Sequence, residues 1–491
     1  MSLRRYRNII PDWERFLEVV QVPEPVTFRV NAARIAPPEL LTRLEARGIR
    51  VGPTRHPKGF FQADPEDGPS VALTPEHWAG LLYIQQAVMG LPSLALGPRP
   101  GERVLDLCAA PGGKTTHLAH LMGDRGCLVA ADVKERRLRV LMANVKRLGL
   151  FSVLSVAVDG TDFPSGALFD RVLVDAPCSG EGTLRGDGGR IRSPRSSFRQ
   201  HITGLQERLL RRAVSLTRPG GVILYSTCTF APEENEGVVS RVLADGEVKV
   251  EPIPLEAPHS PGLTRFQGEE YPAELRDAWR VYPHQMDSGG LFMARLRRRG
   301  EAEEVDSRVG WSPVPPVYGE AVGTDTGNFT GGELPASVSG EVGRFASEFG
   351  VDPLTKTQGL PFLRGRGVWF HRCDRWPVSA WDPGRRWRFL ALGLRSFEQE
   401  SSGRYRPTNA LLARLGSEIE KRWVELPRAR FRDLLAGKGI QVEAPSGYVA
   451  LSLDGLTLGR GIVRGSELQH QIPKGRAAEL RRALDTGSGS A

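Results

Sequence analysis

Val222-Ile-Leu-Tyr-Ser-Thr-Cys-Thr-Phe230 is an apolar, β-branched run that ends at a cysteine. Its composition is that of a buried strand. Upstream, Arg171-Val-Leu-Val-Asp-Ala-Pro-Cys178 has the same character and also stops at an acid and a cysteine. In an open parallel sheet, ligands bind outside the carboxyl ends of the strands. Asp175, Cys178 and Cys228 are therefore expected to meet over one cleft. An acid and two thiols at one mouth suit covalent catalysis.

Working outward, strands and helices alternate from about residue 100 to 300. Strands are expected at Arg103–Leu107, Cys127–Val133, Ser152–Asp159, Arg171–Asp175, Gly221–Thr227, Trp279–Tyr282 and Leu291–Leu296, with helices at Thr115–Met122, Glu135–Leu148, Phe198–Leu216 and Glu233–Leu243. This alternation predicts an α/β fold with a doubly wound parallel sheet. The last two strands lack a helix-length insert between them and are expected to pair antiparallel. Residues 1–95 read as a small mixed α/β segment that contacts RNA. In it, Thr74-Pro-Glu-His77 starts a helix expected to run through Tyr83 and Gln86 to about Met89.

The totals narrow the function classes. The 491 residues allow three domains, and 40% hydrophobic with 25% charged residues is an ordinary globular composition. No apolar run reaches the roughly 18–20 residues of a membrane span. Five cysteines, with no C-x-x-C pair, argue against a disulfide framework and against a metal site. A reducing, cytoplasmic setting and a monomer are expected. Residues 301–332 hold one arginine, six acids and several Pro and Gly, and read as a linker. The net charge of +9 falls almost wholly beyond it: residues 331–491 hold 25 Lys/Arg against 17 Asp/Glu. In 333–491, arginines interleave with aromatics: Arg364, Arg366, Trp369, Phe370, His371, Arg372, Arg375, Trp376, Trp381, Arg385, Arg386, Trp387, Arg388 and Phe389. Such a segment suits phosphate contact and base stacking, although the tryptophans fit a core equally well. A hairpin is expected over Tyr448–Leu458, turned at Asp454-Gly455.

The first strand of the alternating region runs into Asp106-Leu-Cys-Ala-Ala-Pro-Gly-Gly-Lys-Thr-Thr116 and then a helix. Paired glycines allow a tight turn and close approach of a ligand, and the helix start offers free N–H groups to an anion. The stretch is neither a P-loop nor G-x-G-x-x-G. Asp132, Asp159 and Asp175 close the next three strands, a set that favours a nucleoside-type cofactor.

Four blocks now resemble a known family. They are Cys108-Ala-Ala-Pro-Gly-Gly-Lys114, Asp175-Ala-Pro-Cys-Ser-Gly-Glu-Gly182, Ser226-Thr-Cys-Thr-Phe230 and Arg280-Val-Tyr-Pro-His-Gln-Met-Asp-Ser-Gly-Gly-Leu-Phe-Met293. In this order they are similar to the signature blocks of the Sun-family S-adenosylmethionine-dependent RNA cytosine methyltransferases, over roughly residues 24–298. Arg29-Val-Asn31 and Tyr83-Ile-Gln-Gln-Ala87 resemble that family's N-terminal blocks. The C-terminal third resembles the extension of its RsmF-type bacterial members, on Gly447-Tyr-Val-Ala-Leu451 and Leu458-Gly-Arg-Gly-Ile-Val-Arg464.

The resemblance implies a Rossmann-like class I methyltransferase sheet between a small N-terminal α/β domain and a basic C-terminal α+β RNA-binding extension. It divides the chain at 1–95, 96–300, 301–332 and 333–491. It implies S-adenosylmethionine as cofactor, held by Cys108, Ala109, Ala110, Pro111, Gly112, Gly113 and Lys114, with Asp132 on the ribose, Arg137 beside it, Asp159 at the adenine edge and Asp175 between cofactor and base. The residues alone do not say which cysteine attacks the ring. The family uses the Thr-Cys cysteine, here Cys228, as nucleophile and the Pro-Cys cysteine, here Cys178, in release. Asp175, kept protonated or sharing a proton, is expected to serve ring nitrogen 3. The arginines Arg190, Arg192, Arg195 and Arg199 are expected to meet RNA phosphates. The implied target is ribosomal RNA or the small ribosomal subunit. The same chemistry on transfer RNA, a catalytically idle RNA-binding assembly factor and, most weakly, a DNA target are the alternatives.

Overall fold

The computed structural model describes residues 3–64, 70–185, 196–300, 310–314, 317–318, 334–377 and 388–485. Five strands lie side by side and parallel at its centre, in the order Val153–Ala157, Cys127–Asp132, Arg103–Asp106, Phe169–Asp175, Thr217–Thr227. Their residues alternate between two buried faces. Leu105, Val129, Leu154 and Val172 pack into one core with the helices Ser196–Leu216 and Glu236–Leu243. Val104, Leu128, Val153 and Leu173 pack into the other with Gly113–Leu121 and Glu135–Leu148. This period-2 division explains why the strands read as continuous apolar runs, since both faces are covered. Each such side chain contributes roughly 1.5–3 kcal/mol on full burial.

Leu291–Arg298 adds antiparallel to the Cys228 strand, and Trp279–Val281 adds antiparallel beyond it, as their short connection predicts. The strand order reverses between Arg103–Asp106 and Phe169–Asp175. A crevice therefore opens at the carboxyl ends of these two strands.

One expectation is corrected. The helix from Thr74 towards Met89 stops at Trp78, although Thr74 caps it by accepting from the His77 N–H at 3.2 Å. Gly80 follows in the left-handed region at φ +77°, so close to Arg147 that a Cβ there would lie 1.9 Å from its carbonyl oxygen. Leu82–Ile84 then becomes a strand against Val26–Val30 in a four-stranded N-terminal sheet. A buried short helix, Leu91–Leu96, and the strand Val248–Glu251 were not expected.

Most of the stretch read as a linker lies outside the described residues. Trp311 within it is buried against Phe169 at 5.3 Å, and its indole N–H donates to the Leu168 carbonyl at 3.1 Å.

In the arginine–aromatic segment the structure takes the core alternative. Phe362, Phe370, Trp376 and Phe389 are core residues. Arg364 lies over the Phe389 ring at 4.2 Å and donates to the carbonyls of Leu390 and Phe389. Stacking on a ring while donating to carbonyls lets a guanidinium be buried at low cost. Trp381, Arg385, Arg386 and Trp387 lie outside the described residues. Arg388–Leu392 pairs antiparallel with Val153–Ala157 and becomes the far edge of the central sheet. The expected hairpin is present as Gly447–Leu453 and Leu456–Arg464, with Asp454 and Gly455 both at positive φ. It belongs to a second C-terminal sheet whose Leu451 and Leu468 share one core with Phe28, Leu40 and Leu44 of the N-terminal segment. Among the described residues no helix is long and apolar enough to cross a membrane.

Candidate active site

The Arg103–Asp106 strand ends and the chain turns through Cys108-Ala-Ala-Pro-Gly-Gly into the helix that starts at Gly113. Gly112 caps that helix at φ +105°, and a Cβ there would meet Leu141 at 3.0 Å. The turn forms one wall of a cavity of about 240 Å³ lined by Asp106, Cys108, Ala109, Ala110, Pro111, Gly113, Lys114 and Asp175, with Tyr83, Gln85, Gln86 and Met89 opposite. Burial pushes the Asp106 carboxyl up to about 7, against the hydroxyl of Thr115, which donates to Oδ2 at 2.7 Å. Its Oδ1 is buried and has no hydrogen-bond partner among the described residues. Burial likewise pushes the Cys108 thiol well up, with Asp106 adding to it.

Asp132 stands behind this turn rather than in the cavity lining. Its carboxylate accepts from the N–H groups of Ala110 at 3.2 Å and Lys134 at 2.9 Å, and pairs with Arg137 at 3.2 Å. Arg137 also donates to the Ala110 carbonyl. Asp159 does not line the cavity: one oxygen accepts from the Thr161 N–H and hydroxyl and caps the turn Gly160–Asp162.

At the other side of the crevice, Asp175 is in register with Ser226 on the neighbouring strand. Its carboxylate accepts from the Ser226 hydroxyl at 2.9 Å and from Lys114 Nζ at 2.7 Å. Burial works against the Lys114 ammonium, but the ion pair with Asp175 outweighs it and the pKa lies above the usual lysine range. Lys114 and Asp175 thus form an ion pair at the mouth of the crevice.

Beyond it, Cys178 Sγ and Cys228 Sγ lie 3.2 Å apart. Both are free thiols. The hydrogen bond from Cys178 lowers the pKa of Cys228, Lys114 adds to this, and the combined effect exceeds the opposing burial and Asp175 charge. The same contact, with burial, drives Cys178 well up. The pair thus holds its proton on Cys178 and presents Cys228 as the readier thiolate.

The signature blocks lock together around this point. Gly182 N–H donates to the Cys228 carbonyl and Gly290 N–H to the Gly182 carbonyl, both at 2.8 Å. A Cβ on Gly182 would lie 2.5 Å from the Gly290 oxygen, so this crossing admits only glycine. Arg280 pairs with Glu236 inside the core at 2.5 Å and donates to the Phe230 carbonyl. Arg29 is buried beneath the cofactor-side helix, donating to Thr116 Oγ1 at 2.6 Å and Gln85 Oε1 at 3.0 Å, and Asn31 donates to the carbonyls of Gly80 and Leu148. The N-terminal blocks thus fasten that segment to the sheet. Arg199 pairs with Glu181 and Glu233 at 3.8 and 3.7 Å and is largely buried, which leaves it unsuited to the phosphate contact expected of it. Arg190, Arg192 and Arg195 lie outside the described residues. Asp287, at φ +49°, pairs with Arg185 at 2.8 Å.

Residues 93–297 match the family described as 16S rRNA methyltransferase RsmB/F. The chain is 36% identical to the ribosomal RNA small subunit methyltransferase F of Erwinia tasmaniensis over 330 residues, 64% of this chain and 67% of that one. It is 30% identical to the protein of the same name from Aeromonas hydrophila over 485 residues, 96% of each chain. The chain belongs to the RsmB/F family. A human 28S rRNA (cytosine(4447)-C(5))-methyltransferase is 35% identical over 289 residues, 58% of this chain and 35% of that one. Among solved structures, a methyltransferase homolog from Pyrococcus horikoshii is similar at 36% identity and TM-score 0.52, covering 58% of this chain and 90% of its own.

As an RsmB/F member the chain is an S-adenosylmethionine-dependent methyltransferase with the Rossmann-like class I fold. The cavity suits that cofactor. Asp106 offers an unpartnered carboxylate oxygen to an ammonium, and the helix start at Gly113 offers N–H groups to a carboxylate. Asp106 was not singled out from sequence. Its signal was present, since it is the last residue of its strand, as Asp132 and Asp175 are of theirs.

Proposed function

We infer that this RsmB/F protein methylates carbon 5 of cytosine in ribosomal RNA, with Cys228 as nucleophile and Cys178 as the group that permits release. The single observation carrying this reading is the 3.2 Å contact between the two sulfurs beside the Lys114–Asp175 ion pair. When bound, S-adenosylmethionine supplies an electrophilic methyl group on a sulfonium. Cys108–Lys114 with Asp106 would hold it, and Asp132 with Arg137 would border its ribose end. Asp159 stays a weaker partner for the adenine edge, because one of its oxygens is engaged in a turn.

The target base must leave its stack to reach the crevice. Cys228, as thiolate, adds to ring carbon 6. The S–C bond forms, and the electron pair of the C5–C6 double bond makes carbon 5 nucleophilic. Negative charge grows on the ring as this happens, and the Lys114 ammonium held by Asp175 supplies the compensating charge. After methylation, Cys178 passes its proton to the Cys228 sulfur as that sulfur departs, and takes the proton from carbon 5 in its place. The double bond then re-forms and Cys228 leaves with its electron pair. The near full-length similarity to small-subunit enzymes, C-terminal third included, supports small-subunit RNA as the target.

Adduct trapping tests this. Cys178→Ala incubated with S-adenosylmethionine and ribosomal RNA is expected to give a protein–RNA band that survives denaturing gels, and Cys228→Ala none. A band from Cys228→Ala alone would overturn the assignment. A band with transfer RNA but not ribosomal RNA would overturn the substrate class.

A further inference from the structure

Cys178 is gripped from both sides by one buried pair of residues that the mechanism above does not use. Glu234 is fully buried, and its Oε2 accepts from the Ser179 N–H at 3.0 Å. Gln206 Nε2 donates to that same oxygen at 3.1 Å and to the Pro177 carbonyl at 2.8 Å. The residues before and after Cys178 are thus tied to one carboxylate–amide pair. Glu234 is itself held from the Cys228 strand, where the Tyr225 hydroxyl donates to its carbonyl at 2.6 Å. Its Oε1 is buried and has no partner among the described residues. A buried, partly unsatisfied carboxylate costs stability, so it needs an account beyond packing.

We propose that Glu234, steadied by Gln206, is a positioning residue of the thiol pair: it sets the Cys178 sulfur against Cys228 and keeps the shared proton on Cys178. This rests on the two-cysteine reading above. The charged and titratable groups around the pair divide by side. Asp175 and Lys114 face Cys228 from the crevice, Glu234 faces Cys178 from beneath, and Glu181 and Tyr225 lie behind Glu234. A negative charge under Cys178 makes its thiolate costly, so the proton stays there and Cys228 keeps its hydrogen-bond donor. The Glu234 carboxyl is raised by burial, and the hydrogen bonds from Ser179 and Gln206 oppose this.

Glu234→Gln keeps an acceptor for the Ser179 N–H and removes the charge. Iodoacetamide labelling of the intact protein without RNA, read by mass spectrometry across pH, then reports which thiol reacts. In the wild type Cys228 labels first. In Glu234→Gln the preference is expected to fall by about tenfold, the effect of one pKa unit, and the acid limb of methylation moves to higher pH. Wild-type preference and an unmoved limb in that variant would overturn the proposal and leave Glu234 a loop anchor. If Glu234→Gln does not fold, Gln206→Ala carries the test of positioning. Its kcat is expected to fall with KM for RNA unchanged, and an unchanged kcat overturns the proposal. Adduct trapping by Cys178→Ala tests the underlying two-cysteine reading separately, because it does not depend on where the resting proton sits.

Discussion

Two pairs of cysteines meet in this molecule, and they differ in which end of the sheet they occupy. Cys178 and Cys228 follow the carboxyl ends of adjacent parallel strands. Cys127 opens its strand, at the amino end, and meets Cys373 from the C-terminal segment inside the core. Cys373 donates to the Ser152 carbonyl at 3.4 Å, and the contact with Cys127 together with burial raises its pKa far above the usual range. The first pair has Lys114, Asp175 and Glu234 around it; the second lies in the core, where Asp374 and Asp124 add to the burial that keeps Cys373 protonated. Proximity of two thiols is common to both. Lys114 beside the thiol and partial exposure mark the first pair, whereas the second is buried, and these make a thiol reactive rather than a small hydrophobe.

The largest effect that would sharpen this contrast is Cys228→Ala, expected to lower methylation of ribosomal RNA at least about a thousandfold. Residual activity above a tenth of wild type would break the comparison. Next comes Cys178→Ala, with turnover down by about 10²–10⁴ while adduct accumulates on gels. Lys114→Met is expected to act through charge. Methylation rises with pH as Cys228 ionises, and loss of a cation that lowers that pKa moves the rising limb to higher pH. Rates below the limb should fall about tenfold per unit of movement, and a limb that moved down would refute the role. Smallest is Cys373→Ala. Thermal unfolding should register a loss of about 1 kcal/mol from the cavity, with methylation unchanged at temperatures where the protein is folded. Loss of activity there would show that the buried pair is not inert.

Much of the site was legible because it is built from strand ends. Asp132, Asp175, Cys178 and Cys228 stand where an apolar run stops, and the sheet places such positions on one edge. Asp106 obeys the same rule, as the last residue of its strand before the glycine-rich turn. Asp159 also closes an apolar run, yet its carboxylate turns back to Thr161. Strand-end position selects candidates but does not aim side chains. The 74–89 helix failed for a different reason: Gly80 packs against the backbone of Arg147, far downstream in the chain, at a positive φ that cuts the helical pattern.

The sequence by itself determined the alternating sheet, the turn after Asp106, the hairpin at Asp454-Gly455 and the pair of cysteines at the strand tips. Each depends on periodicity or spacing within a few residues. Folding alone brings the two sulfurs together beside Lys114, pairs Asp175 with Lys114, places Phe362, Trp376 and Phe389 in the core under Arg364, and joins the N-terminal segment to Leu451 and Leu468 in one core. These depend on desolvation and on the charges that face a group, and both are set by residues that come together only when the chain has folded.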